Sequence, residues 1–231
     1  RDQPRSRGLG DVYKRQTFIL LVSYTVILCM GNGYTCDESN ILSIIDRQLF
    51  GEAHLYQKSP IDPEGFVSTL SAIAHTCIGF SCGKWIIQSH QTENKVLRLF
   101  LTGFILMSIG YLLADALPLN KRIWSPTFVL VTCGAASMSL ATLMYYIDIR
   151  NKQKWCRFFI IFGVNPLFLY VLSEVLAIMM GSTGWKAAAY AAIHSGITDA
   201  YLASAVYALV FTLFLGCIGY PLYLKKIYIK L

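Results

Sequence analysis

Two carboxylates, Asp62 and Glu64, lie two positions apart directly before a long apolar segment. Carboxylates accept hydrogen bonds from hydroxyl and ammonium groups, so this pair could face a polar substrate at the mouth of a site. A structural interpretation is equally open. Asp62 followed by Pro63 is an acceptable helix N-cap with proline at the first helical position, and Glu64 suits the positive end of the helix dipole.

A second polar segment, residues 118–126, places Asn120, Lys121, Arg122 and Trp124 between two prolines. An amide, two cations and an indole ring could hold an anionic or sugar ligand against an aromatic plate. The same composition is typical of a tryptophan anchor with flanking cations at a membrane surface. Asn120, Lys121 and Trp124 are therefore candidate substrate-binding residues, with membrane anchoring as the alternative.

Polar residues also interrupt an apolar segment at residues 158–180. Pro166 removes one backbone hydrogen bond and Asn165 adds a polar group beside it, which predicts a broken helix near the middle of the segment. Glu174 lies deeper in the same segment, where its ionised form needs a partner or a water-filled cavity. Broken helices at this depth often line substrate sites, which makes Asn165 and Glu174 further candidate substrate-binding residues. A simple kink without a binding role is the alternative.

The elements that position these residues are apolar and long. With 55% hydrophobic residues, 14% charged residues and a mean hydropathy of +0.50, the chain has too little polar surface to cover a soluble globule of 231 residues. A helix needs about 20 mostly apolar residues to cross a bilayer. We predict an all-α polytopic transmembrane bundle of about six helices, at residues 17–30, 66–87, 97–117, 127–147, 158–180 and 202–224.

The remaining segments differ in composition. Residues 1–16 have no initiating Met and change abruptly to apolar sequence at Thr17, so we interpret them as a non-native or disordered basic segment before a transmembrane domain at 17–231. A genuine basic juxtamembrane tail is the alternative. A chain that starts with Arg is predicted to be a fragment. The loop at 31–65 contains an amphipathic stretch, residues 41–50, that predicts a helix lying on the outer leaflet.

The charges of the connections predict the orientation. With the N-terminus inside, the inner connections hold ten Lys and Arg residues and the outer connections hold five, which favours a cytoplasmic C-terminus. All four tryptophans fall at predicted helix ends, where an indole suits the headgroup layer. We expect an integral membrane protein of a bacterial inner membrane, with the lipid bilayer as its partner. The net charge of +7 follows from topology and does not indicate nucleic-acid binding.

The second apolar segment holds a histidine and a small-residue motif. His75 lies about midway along it, and we interpret it as a neutral imidazole hydrogen-bonded to a neighbouring helix, in preference to a catalytic base. Gly79 and Gly83 form a G-x-x-x-G motif, which predicts close helix packing.

Several chemistries have no support in the sequence. The seven cysteines contain no C-x-x-C pair and lie mostly in apolar segments, which is typical of small core-filling residues. There is no P-loop, no H-E-x-x-H and no G-x-G-x-x-G motif. We therefore expect no metal site and no nucleotide motif.

Three segments together resemble the bacterial relatives of heparan-α-glucosaminide N-acetyltransferase. They begin at Asp62 (DPEGFVSTLSAI), at Pro118 (PLNKRIWSPTFVL) and at Asn165 (NPLFLYVLSE), and the closing KKIYIKL is also similar. The resemblance extends from the outer loop to the end of the chain. It implies a polytopic membrane acyltransferase that moves acetyl from cytoplasmic acetyl-CoA, its co-substrate, to an amino group of a glucosamine or related glycan across the membrane.

The resemblance also implies that a decisive region is missing. In the family, the histidine proposed for catalysis lies in an N-terminal region with the first helices, and neither His75 nor His194 matches that motif. We therefore expect an N-terminally truncated acyltransferase without activity as it stands, and we assign no catalytic residue. An amino-sugar permease or transport-associated protein is the alternative, supported by the predicted broken helix and opposed by the lack of a visible inverted repeat. A homo-oligomer is compatible with either function.

Overall fold

The computed structural model describes residues 4–56, 59–89 and 91–229, except for the side chains of residues 4–11. The first three residues of the predicted basic segment, Lys58 of the loop and the C-terminal Leu231 lie outside the described residues. Within them the chain is all-α, as predicted, and it has nine α-helices and no strand. The helices are α1 Pro4–Met30, α2 Ile41–Phe50, α3 Thr69–Gln88, α4 Thr92–Leu112, α5 Pro126–Met144, α6 Cys156–Val164, α7 Pro166–Ser182, α8 Trp185–Gly196 and α9 Ala200–Leu224.

Five of these helices are long and apolar enough to cross a membrane, or six if the bent pair α6 and α7 is one span. This number agrees with the prediction of about six. The first span is Val12–Met30 within the longer α1, so residues before the apolar segment complete the crossing length. A five-residue π-helical turn, Tyr145–Ile149, continues α5.

The chain divides into two compact units, residues 1–151 and residues 152–231. In the first unit α4 and α5 pack closely at glycines. A Cβ atom added to Gly103 would lie 2.7 Å from the carbonyl oxygen of Gly134, and one added to Gly134 would lie 2.6 Å from that of Gly103. Small residues let the two backbones approach, as is common between membrane helices.

The predicted close packing at Gly79 and Gly83 is wrong for the described part of the chain. A Cβ atom added to either residue would have no atom within 4 Å. The close backbone approach between α4 and α5 is made by Gly103 and Gly134, which lie on different helices and do not form a G-x-x-x-G motif. The G-x-x-x-G motif on α3 therefore did not identify the pair of helices, α4 and α5, that pack closely at glycines.

One apolar cluster fixes the end of the first unit at which α1 and α4 finish and α3 and α5 begin. Its buried members are Tyr24, Leu28, Leu42, Ile61, Val67 and Ile123. They come from helices α1 and α2, from the segment before α3 and from the connection before α5. We call this end, comprising residues 31–56, 59–65 and 113–125, the loop end.

Helix α2 begins and ends at the residues predicted from its amphipathic pattern. Its buried face, however, carries Ser43 and Asp46 together with Leu42, while Leu49 and Phe50 are exposed. The side chain of Asn40 caps the helix by accepting a hydrogen bond from the backbone N–H of Leu42 at 2.9 Å. Two polar side chains are thus directed into the first unit while apolar ones remain on the surface.

The second unit contains the broken helix that the sequence predicts within residues 158–180. That segment is broken at Asn165 into α6 and α7, which meet at 81°. Pro166 starts α7 at a position where its missing N–H costs nothing. Helix α8, absent from the prediction, contains five alanines in twelve residues and has high helix propensity, although it is too short to cross a membrane.

Candidate functional site

The structure brings the two predicted polar segments together at the loop end. Ile61, beside Asp62, and Ile123, beside Trp124, are buried in the same apolar cluster. The hydroxyl of Tyr24 donates to the carbonyl of Ile123. Asp62, Glu64, Asn120, Lys121 and Trp124 therefore belong to one end of one unit, although the two segments are 56 to 62 positions apart in the sequence.

Asp62 caps a turn and not a helix. Its Oδ1 accepts a hydrogen bond from the N–H of Glu64 at 2.9 Å, and its Oδ2 accepts one from the N–H of Tyr56 at 3.1 Å. Helix α3 begins only at Thr69, so the interpretation of Asp62 as its N-cap is wrong. With both Asp62 oxygens bonded to backbone, exposed Glu64 is the carboxylate of this turn that faces solvent.

Asp46 is a buried carboxylate that the sequence analysis did not select. It is 1% exposed, and its Oδ1 accepts a hydrogen bond from the N–H of Phe66 at 2.9 Å. Burial raises the pKa of Asp46, the bond from Phe66 lowers it, and the negative charge of Asp62 raises it further. Among the described residues, nothing hydrogen-bonds to its buried Oδ2. Its place beside Leu42 on one face of α2 is the signal that could have identified it.

The segment at residues 118–126 is folded around two polar side chains. The Oδ1 of Asn120 accepts from the N–H of Arg122 at 2.9 Å, and its own N–H donates to the Oγ of Ser125 at 3.0 Å. Ser125 is also the N-cap of α5, since its Oγ accepts from the N–H of Phe128. Asn120 therefore has a local structural role, while the Lys121 side chain is exposed.

Trp124 lies in a strained and supported conformation. Its φ is +51°, in the left-handed region that non-glycine residues seldom adopt. The Oγ of Ser71 on α3 donates to the Trp124 carbonyl at 2.7 Å. The indole ring contacts His75 with ring centroids 5.9 Å apart and contacts Phe128 at 5.8 Å. The structure thus pairs a predicted ligand-binding residue with a histidine that the sequence analysis set aside.

An ion-pair cluster lies in the loop between α1 and α3. Arg47 binds Glu38 at 3.0 Å and Glu52 at 3.3 Å beside an open cavity of about 440 Å³. The hydrogen bond and positive charge of Arg47 lower the pKa of exposed Glu38. Exposed ion pairs of this kind contribute little to stability.

In the second unit, both ends of the Asn165 amide are occupied. Its Nδ2 donates to the carbonyl of Ile227 at 2.8 Å, and its Oδ1 accepts from the N–H of Ile229 at 2.8 Å. Asn165 is 3% exposed. Glu174 is exposed midway along α7. The structure therefore separates the two candidates on this segment, with one bonded to the C-terminal segment and the other on the surface of the unit.

Within the described residues, no group of three or more His, Cys, Asp or Glu side chains could hold a metal ion. The long apolar helices, and the polar loops gathered at one end of the first unit, define a polytopic α-helical integral membrane protein. No family model matches the chain.

Two curated relatives are similar to the chain. They are heparan-α-glucosaminide N-acetyltransferase of Mus musculus, 27% identical over 204 residues, and that of Homo sapiens, 28% identical over 204 residues. Both alignments cover 81% of this chain, and they cover 30% and 29% of the mouse and human proteins. The chain thus spans about 30% of the length of these relatives. The resemblance found in the sequence motifs is confirmed, and the chain is similar to these N-acetyltransferases over most of its own length.

Proposed function

We propose that the chain is the C-terminal part of a membrane acyltransferase that transfers acetyl from acetyl-CoA to an amino sugar. The observation that carries this proposal is the convergence at the loop end, where the turn of Asp62 and Glu64 and the segment of Asn120, Lys121 and Trp124 share one apolar cluster. The relatives support the reaction class, since both are named as N-acetyltransferases of a glucosaminide.

The chemistry assigns different tasks to these residues. The amine nitrogen attacks the thioester carbonyl carbon, the carbon–sulfur bond breaks, coenzyme A leaves as its thiol or thiolate, and the amine loses a proton. Exposed Glu64 suits recognition of the incoming ammonium group, because both Asp62 oxygens already accept backbone hydrogen bonds. Lys121 and the Trp124 ring suit the hydroxyl groups and the apolar face of a sugar.

The orientation is part of the proposal. The excess of Lys and Arg in alternate connections favours a cytoplasmic C-terminus in a bacterial inner membrane. The loop end then faces away from the cytoplasm, on the side of the acceptor sugar. Acetyl-CoA is supplied from the cytoplasm, and the acetyl group has to cross the membrane to reach the loop end.

The test is acetyl transfer to glucosamine in proteoliposomes that contain either this chain or a full-length relative. We expect turnover only from the full-length protein, because we assign no catalytic base in this chain. In that protein, alanine at the positions of Asp62 and Asn120 should reduce transfer, because these side chains bond the backbone of the segments that carry Glu64 and Lys121. Alanine at the position of exposed Glu38 is the matched control. Unchanged turnover for both loop-end variants would remove the proposed site.

An amino-sugar permease is the second candidate, favoured by the 81° break between α6 and α7. Discontinuous helices often form the substrate sites of secondary transporters. Net sugar uptake into vesicles without acetylation would support the permease. Acetylation without net sugar movement would support the acyltransferase.

A further inference from the structure

His75 and Trp124 each have a buried ring nitrogen without a hydrogen-bond partner among the described residues. The atoms are Nδ1 of His75 and Nε1 of Trp124, and the ring centroids are 5.9 Å apart. Buried polar atoms in proteins almost always have a partner, because leaving one unpaired costs free energy. The two rings are in contact, with His75 in the second turn of α3 and Trp124 in the loop end, so one bound polar group is the simplest partner for both nitrogens.

We propose that His75 and Trp124 bind the carbonyl oxygen of an acetyl group. This inference rests on the proposed function and identifies which part of its substrates the site recognises. The indole N–H is only a donor, so its partner is an acceptor oxygen and cannot be an ammonium group. An imidazole nitrogen that carries its hydrogen is a second donor. Two N–H donors to one oxygen are also the general arrangement that stabilises the negative charge formed there during acyl transfer.

The position of Trp124 is fixed before any ligand binds. Its unusual φ of +51° is held by hydrogen bonds from two different helices, Ser71 of α3 to its carbonyl and Tyr24 of α1 to the preceding carbonyl of Ile123. Strained residues persist only where the surrounding structure supports them, and they are frequent at ligand sites. A rigid indole loses little conformational entropy on binding.

An apolar cavity adjoins His75 and suits the methyl end of an acetyl group. The cavity, about 240 Å³ in volume, is lined by His75, Ile78, Gly79 and Cys133 among others, and lies between α3 and α5. Gly79 leaves it open, since a Cβ atom there would meet nothing within 4 Å. A polar pair beside an apolar space matches a carbonyl oxygen joined to a methyl group.

Two molecules of the proposed reaction carry this group, the acetyl thioester and the N-acetylated sugar. The whole chain in lipid nanodiscs, with Trp85, Trp155 and Trp185 replaced by Phe, leaves Trp124 as the only fluorophore of its type. Its emission is titrated with acetyl-CoA against coenzyme A, and with N-acetylglucosamine against glucosamine. We expect a response to an acetyl-bearing ligand and none to its deacetylated counterpart. The ligand that changes the Trp124 emission shows whether the site binds the acetyl group of acetyl-CoA or that of the acetylated sugar.

Variants at the histidine test the second donor. His75→Phe should weaken acetyl-ligand binding about tenfold, the effect of one lost hydrogen bond, while His75→Gln should retain binding through its amide N–H. His194→Phe is the matched control, because His194 stacks on Tyr190 in the other unit. Thermal unfolding of each variant separates a lost contact from a lost fold.

Three results would overturn the inference. They are equal responses to acetylated and deacetylated ligands, no response to any acetyl-bearing ligand at millimolar concentration in a folded chain, and unchanged affinity in folded His75→Phe. Each is distinguishable from failure of the proposed function, because transfer by the full-length relative is measured separately. Persistent transfer with no acetyl binding at Trp124 would remove only the inference.

Discussion

The carboxylate of Asp46 accepts a hydrogen bond from the backbone N–H of Phe66 at 2.9 Å and so joins α2 to the segment before α3. Its other oxygen lies against Gly65, where an added Cβ atom would be 2.2 Å from Oδ2. The buried carboxylate of Asp46 therefore contacts the two residues that follow the turn of Asp62 and Glu64 and fixes their position. Asp46 is a positioning residue for this turn.

The stability of the loop end should depend on pH through Asp46. Burial raises the pKa of Asp46 in the folded protein above the unfolded value of about 4, so the folded state retains this proton to higher pH than the unfolded state does. We expect the free energy of unfolding to fall as pH rises from about 4 through the folded pKa. Asp46→Asn should flatten that part of the profile, as measured by thermal unfolding in detergent at a series of pH values.

The control for this measurement is Glu38→Gln. Glu38 is exposed, and the Arg47 bond lowers its pKa, so this variant should leave the decline above pH 4 in place. A decline of the same size in Asp46→Asn as in the parent protein would contradict the assignment to Asp46.

The close approach at Gly65 predicts a large effect of a single methyl group. Gly65→Ala forces its Cβ against the buried carboxylate of Asp46 and should destabilise the protein by about 1–3 kcal/mol. Gly79→Ala introduces the same methyl group where nothing lies within 4 Å. The two variants are compared by their unfolding temperatures, and equal temperatures would contradict the packing at Gly65.

The contact between α4 and α5 gives a second matched pair. Gly134→Ala should separate the two helices, because its Cβ would lie 2.6 Å from the backbone oxygen of Gly103, and we expect a loss of about 1–3 kcal/mol. Gly83→Ala should be neutral or gain about 0.5–1 kcal/mol, since alanine is the better helix former. Thermal unfolding measures both, and a Gly134→Ala variant as stable as Gly83→Ala would refute the close approach.

The class of the fold could be predicted from the sequence because long apolar segments allow few structures. Backbone groups in a bilayer must be bonded internally, so segments such as residues 202–224 have to be helical. The bounds of α2 were also predictable from its periodicity. Helix α8 was missed because its twelve residues are too few to cross a membrane and the helices were predicted from long apolar segments, although its alanines favour a helix.

The details of the site could not be predicted, because they depend on contacts between distant residues. Periodicity places Asp46 on a helix but does not say that Phe66, twenty positions away, donates to it. The pairing of His75 with Trp124 requires α3 and the connection before α5 to meet. The bend at Asn165 was foreseen from Pro166, but not the C-terminal segment that occupies the Asn165 amide.

That occupied amide leads to a last prediction, on the C-terminal segment. Asn165 donates to Ile227 and accepts from Ile229, so its side chain fixes the segment after α9 against the break between α6 and α7. Asn165→Ala removes both bonds and should increase the hydrogen-exchange rate of the Ile229 amide about tenfold, measured by mass spectrometry of the C-terminal peptide. Asn165→Asp keeps the acceptor for Ile229 but loses the donor to Ile227, and should give an intermediate rate.

Glu174→Gln serves as the control, because Glu174 lies on the exposed side of α7 and should not affect the Ile229 amide. If Asn165→Ala leaves exchange at Ile229 unchanged, the side chain does not fix the segment, and its buried amide becomes available for a ligand. A second outcome is that exchange increases and that transport or transfer is also lost in a full-length relative. We then attribute the loss of activity to the bend and the C-terminal segment that supports it, because both polar atoms of Asn165 are already bonded within the chain.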